Sequence, residues 1–100
     1  MPGLFAITLV HGGAWKAGKP MEAQFDWAGH TGFMDGLVAD GFVTLGGPLG
    51  DGDEVLLIVR ADNAEEIRRR LEWDSWIAND LLRMVRVVPW TLRLGSLDRA

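Results

Sequence analysis

The chain has 100 residues and is 48% hydrophobic, 24% charged and 9% aromatic, which excludes disordered and collagen-like classes and predicts one packed domain over residues 1–100. Ten Lys plus Arg against fourteen Asp plus Glu give a net charge of -4, leaving no basic footprint for a nucleic-acid backbone. Cysteine is absent, so disulfide frameworks, thiolate zinc sites and iron–sulfur clusters are excluded and a cytoplasmic location is expected.

Met1-Pro2-Gly3 carries no positive cluster ahead of the apolar run Leu4–Val10. That run is far short of the roughly 20 residues a bilayer span requires, so neither secretion nor membrane insertion is expected. Being apolar on both parities and closed by His11-Gly12-Gly13, it predicts a strand covered on both faces. Gly12–Lys19 has three glycines, two lysines and no apolar period, which predicts a loop. Pro20 suits a first helical turn, and a helix is expected from about Met21 to Asp40, ended by Gly41 as a left-handed cap.

Phe42–Leu45 and Glu54–Arg60 read as the strands of a hairpin, with turn chemistry over Gly46–Asp53. Asp62 and Glu65 form a capping-box pattern ahead of a short helix that carries Ala64, Ile67 and Leu71 on one face and continues through Arg70 and Glu72. Asp74-Ser75 can cap a further turn through Asn79. Leu82, Met84, Val88, Trp90 and Leu92 then share one parity and predict a last strand, with Arg86 interrupting.

The order strand, helix, strand, strand, helix, strand is the split βαβ arrangement of ferredoxin-like α+β folds, a four-stranded antiparallel sheet with two helices on one face. Its first and third strands lie centrally, and these are the two that are apolar on both parities. Two helices cover one face only. The side chains of either the Val55 and Leu57 parity or its opposite are left outside, and a second copy of the same sheet is the expected cover, giving a homodimer.

On a helical wheel Trp27, Phe33, Met34, Leu37 and Val38 occupy one apolar sector with His30 in its middle, while Gln24, Thr31 and Asp35 lie to the other side. An inward imidazole, whose charge changes near neutrality, suits proton transfer if an acidic group orients it. Asp26, one turn earlier, and Asp74, at the next helical cap, are the two candidates. The plainer alternative is a core histidine bonded to a backbone carbonyl. His11 ends the first strand where its ring can face the same pocket. Five tryptophans, Trp15, Trp27, Trp73, Trp76 and Trp90, can wall an aromatic cavity or fill a dimer contact.

Other chemistries fail on spacing. Two histidines show no His-x-x-x-His or Glu-x-x-His pattern, so no metal site is expected. Asp51-Gly52-Asp53-Glu54 lacks the rest of a calcium loop. Gly46-Gly47-Pro48 has no Lys-Ser/Thr after it, which rules against a phosphate loop but permits close backbone approach to a ligand. Ser75 has no nucleophile elbow. Arg68-Arg69-Arg70 reads as a solvated face beside Glu65, Glu66 and Glu72.

The stretch His30-Thr31-Gly32-Phe33-Met34-Asp35-Gly36-Leu37-Val38-Ala39-Asp40-Gly41, leading into Leu45-Gly46-Gly47-Pro48, resembles the histidine–helix–glycine and glycine–proline pattern of the YCII-related (YciI-like) proteins. Asp74-Ser75-Trp76 is similar to their Asp-Pro-aromatic element, with Ser75 where proline is usual, and Val88-Pro89-Trp90 to a piece of their last strand. The resemblance implies a dimeric α/β barrel with a His/Asp pair in a cleft, carried over to His30 and Asp74. Some relatives remove chloride from chlorinated hydroxyquinols.

The reading is therefore an acid/base enzyme of isomerase or lyase type acting on a small cyclic or unsaturated molecule. His30 and Asp74 carry the catalysis, His11, Trp27, Gly47, Pro48 and Trp76 bind the substrate, and no cofactor is required. The alternatives are a non-catalytic small-molecule-binding or regulatory module, and a haem-handling protein with His30 as axial ligand.

Overall fold

Across residues 2–97, which the computed structural model describes, the chain forms β1 (Gly3–His11), a single 3-10 turn (Met21–Ala23), α1 (Trp27–Ala39), β2 (Val43–Leu49), β3 (Glu54–Ala61), α2 (Ala64–Leu71), α3 (Ser75–Ala78) and β4 (Leu82–Pro89). The four strands make one antiparallel sheet in the order β2-β3-β1-β4. This is the expected ferredoxin-like arrangement, with the two strands of continuous apolar character at its centre. No helix among the described residues is long and apolar enough to cross a membrane.

Register decides which parity is covered. Phe5, Ile7 and Leu9 lie opposite Val59, Leu57 and Val55, and this side packs with Leu37 of α1 and Ile67 and Leu71 of α2 in one core. Each fully buried side chain of this size contributes about 1.5–3 kcal/mol. The opposite parity looks away from the helices: Ala6 faces Ile58, Thr8 faces Leu56, and Leu45 of β2 stands beside Ile58. Leu45 and Leu49 are exposed there.

The chain departs from the sequence expectations in five places. The first helix starts at Trp27, not Met21, because Asp26 turns the backbone left-handed (φ 51°) and accepts the Gly29 N–H as a cap. Gly41, with φ 85°, ends it as expected. β2 continues through Gly46, Gly47 and Pro48 to Leu49, so the turn is shorter than Gly46–Asp53; an edge strand tolerates a proline that a central ladder would not. The cap of α2 is Asn63, which accepts the Glu66 N–H, while Glu66 Oε1 accepts the Asp62 N–H; the box is shifted one residue from Asp62/Glu65.

In β4 the register jumps. Thr8 lies opposite Arg86 and Leu9 opposite Met84, leaving Val85 as the extra residue of a bulge. The bulge flips parity, so Val87 rather than Val88 packs on the core, and Leu82, Met84, Val88 and Trp90 do not share a face. Arg70, finally, is not merely solvated: its guanidinium donates to Asp40 at 2.6 Å and lies 4.2 Å from the centre of the Phe42 ring, tying α2 to the end of α1.

Candidate functional site

Two helical segments meet at one carboxylate. Ile67 and Leu71 anchor the inner face of α2, and the chain then turns into extended backbone at Asp74, the N-cap of α3. The Asp74 carboxylate accepts the Trp76 N–H at 3.3 Å. It also meets His30 of α1, whose Nδ1 lies 2.9 Å from Oδ1 and 3.0 Å from Oδ2. An ionised carboxylate can only accept, so Nδ1–H is the donor in this contact and Nε2 is the ring nitrogen left for another partner. Among the described residues no hydrogen bond engages Nε2. Asp26, the other candidate partner, is committed to capping α1.

The ring plane of His30 is set from its face. Trp76 stacks on it at 3.8 Å with 3° between planes. Trp76 is only 3% exposed and its indole N–H donates to the Phe25 carbonyl. A carboxylate in the plane and an indole on the face leave the imidazole little rotational freedom. Side-chain exposure is 14% for His30 and 2% for Asp74, so the pair is sheltered from screening but open on one side.

That side is a cavity of about 720 Å³ between the helices and the sheet. His30 and Asp74 line it, as do His11, Trp27, Gly47, Pro48 and Trp76. β1 delivers His11 on the helix-facing side of the sheet, opposite Leu82. β2 brings Gly47 and Pro48 as an extended edge rather than as a turn. The volume is ample for a small molecule. Charge is confined to a few lining residues, Lys19, Asp35, Asp51 and Asp53 among them.

Three further residues shape this cavity; the sequence raised Trp15 only as one of five candidate wall tryptophans and gave no role to the other two. Trp15 stacks on His11 at 3.8 Å with 8° between planes and meets Trp76 edge-on at 5.4 Å. Its neighbours come from elsewhere in the chain, and the number of tryptophans was the only sign of it. Gln24 is buried rather than outward-facing; its amide bonds the Lys16 N–H and carbonyl and the Lys19 carbonyl, folding that loop into a wall. A lone glutamine between Ala23 and Phe25 gives no such signal.

Asp80 is the third. It has φ 62° and its carboxylate accepts the Gly13 N–H at 3.0 Å and the Arg83 guanidinium at 2.7 and 2.8 Å. Its carbonyl accepts the Ala14 N–H at 2.9 Å, and the Leu81 carbonyl accepts the Gly12 N–H at 2.8 Å. The loop after β1 is thereby stapled to the corner between α3 and β4. A Cβ on Gly12 would sit 2.2 Å from the Asp80 carbonyl oxygen, so the close approach requires glycine. The Arg83 hydrogen bonds, with the Gly13 N–H adding to them, lower the Asp80 carboxyl to about 2.

Of the five tryptophans, Trp15, Trp27 and Trp76 line the cavity, whereas Trp73 is 82% exposed. Among the described residues no three of His, Asp and Glu converge as a metal ion would require.

Fold and site together define a ferredoxin-like α+β chain with a carboxylate-held imidazole in the wall of a largely aromatic and aliphatic cavity. Among solved structures the chain is similar to the 5-chloro-2-hydroxyhydroquinone dehydrochlorinase of Burkholderia phenoliruptrix in its complex with 2,5-dihydroxybenzoquinone. The two share 22% identity with a TM-score of 0.60, covering 92% of this chain and 95% of that one. That degree of likeness establishes a common fold. No family model and no curated protein matches the sequence.

Proposed function

We propose that this protein is a YCII-related acid/base enzyme, of lyase or isomerase type, acting on a small cyclic or unsaturated molecule. The observation that carries the reading is the Nδ1 contact of His30 with both Asp74 oxygens at 2.9 and 3.0 Å on the wall of the cavity. Asp74 holds the Nδ1 proton, so His30 Nε2 takes a proton from the bound molecule. The imidazolium so formed lies against a carboxylate and flat on the Trp76 indole, two surroundings that favour positive charge. Trp27, Gly47, Pro48 and Trp76 form the substrate walls, and a proton transfer of this kind needs no redox cofactor. The dehydrochlorinase of similar fold supports the choice of a small ring as substrate.

The test is exchange with solvent. A panel of hydroquinones and hydroxyquinones, including 5-chloro-2-hydroxyhydroquinone, is incubated in D2O, and deuterium incorporation and chloride release are followed. Wild type is expected to promote one or both, and His30→Ala neither. Tight binding of panel members without exchange or turnover would assign the pocket to a non-catalytic binding module instead.

We further propose that a second copy covers the outward face on which Leu45 and Leu49 stand exposed beside Ile58, making a homodimer with sheets face to face. Light scattering at micromolar concentration is expected to give twice the chain mass; a monomer would overturn this.

A further inference from the structure

A second imidazole borders the cavity. His11 and His30 are the two histidines of the sequence, and both line the same space. Among the described residues no hydrogen bond engages either ring nitrogen of His11, and neither nitrogen is a buried atom lacking a partner. The ring is nonetheless held. It lies flat on Trp15 at 3.8 Å, Trp15 abuts Trp76 at 5.4 Å, and Trp76 lies flat on His30 at 3.8 Å. The loop that carries Trp15 is stapled through Gly12, Gly13 and Ala14 to Asp80 and Leu81. An imidazole with a fixed plane and unengaged nitrogens is poised for a ligand rather than for the fold.

We propose that His11 is a second catalytic residue, an N–H donor to the substrate oxygen on which negative charge gathers while His30 takes the proton. The inference rests on the acid/base reading above. In that step the substrate O–H or C–H bond breaks, the proton bonds to His30 Nε2, and the electron pair left behind moves through the conjugated system to a distant carbonyl oxygen. A neutral imidazole carries one N–H in either tautomer, so His11 can meet that oxygen without losing a proton itself. The substrate class narrows accordingly. It must join an acidic hydrogen to a carbonyl oxygen through a conjugated path, as enols, quinones and hydroxyquinones do, and simple alcohols or isolated alkenes do not qualify.

The experiment uses protein labelled with 13C at histidine, whose two Cε1–H signals are followed as 2,5-dihydroxybenzoquinone is added. Both signals are expected to move along one binding curve. His11→Phe keeps a flat ring on Trp15 but removes both nitrogens, and is expected to weaken binding by roughly tenfold to a hundredfold, the usual loss for a hydrogen bond to a charged group. In that variant the His30 signal still moves at higher ligand. A His11 signal that stays still while His30 responds, or His11→Phe binding as wild type, would overturn the role of His11 and leave His30 standing. If neither signal moves, the acid/base reading fails and this proposal fails with it.

Discussion

Asp74 and Asp80 flank the same short helix, α3, and each accepts a backbone N–H and a cationic or potentially cationic side chain. Their surroundings separate them. Asp74 is 1% exposed and holds an imidazole whose other nitrogen opens on the cavity. The Asp80–Arg83 pair stands about half exposed, with both guanidinium contacts in water, and holds a loop. Identical side chains six residues apart therefore do different work. Where the solvent is excluded, the pair orients an imidazole at a cavity wall; where it is not, the pair is worth little by itself and acts by geometry.

Asp74→Asn attacks the buried member and carries the largest expected effect. Asparagine caps a helix about as well as aspartate, so stability changes little. Its amide cannot hold the Nδ1 proton as an anion does, and the rate of solvent exchange is expected to fall by roughly a hundredfold or more. Exchange at the wild-type rate would show that the dyad is structural. Gly12→Ala attacks the loop side through the Asp80 carbonyl. The intruding methyl is expected to cost about 1–3 kcal/mol in urea denaturation, as overpacking generally does.

Arg83→Met removes the exposed cation and leaves the backbone bonds of the staple in place. A loss of stability smaller than that of Gly12→Ala is expected, with His30-dependent exchange retained; a larger loss would mean that the pair, not the backbone, holds the loop. The smallest effect is acid dependence. Asp80 has a folded value near 2, below its ordinary 3.8. Its stabilising contribution is therefore complete above pH 3.8 and is lost as pH falls from there through 2. The urea midpoint of Asp80→Asn should be less sensitive than wild type across that window.

The apolar pattern was enough for the central strands and the order of the sheet, because a strand flanked by two others carries apolar residues on both parities, as Leu4–Val10 and Val55–Val59 do, although in this chain the helices cover only one of those parities. Helix ends and parity switches depend on single residues and were less legible. Nothing in the composition of Met21–Asp26 announces that Asp26 takes a left-handed turn. Nor could alternation survive the extra Val85, although Arg86 on the wrong parity marked the place. At the site, the wheel turned His30 inward and the capping pattern raised Asp74, yet which of Asp26 and Asp74 it meets depended on how α1 packs against α3. The His11–Trp15 stack was out of reach, since the loop that carries Trp15 is held by a corner near residue 80, far away in sequence.

The tryptophan distribution gives the molecule a built-in optical readout. Trp15, Trp27 and Trp76 edge the cavity while Trp73 projects into water. A molecule entering the pocket is expected to perturb the blue part of the emission and to leave the red part, from Trp73 and the half-exposed Trp90, as an internal baseline. Iodide, which reaches Trp73 first, should strip away that baseline and leave the signal of occupancy.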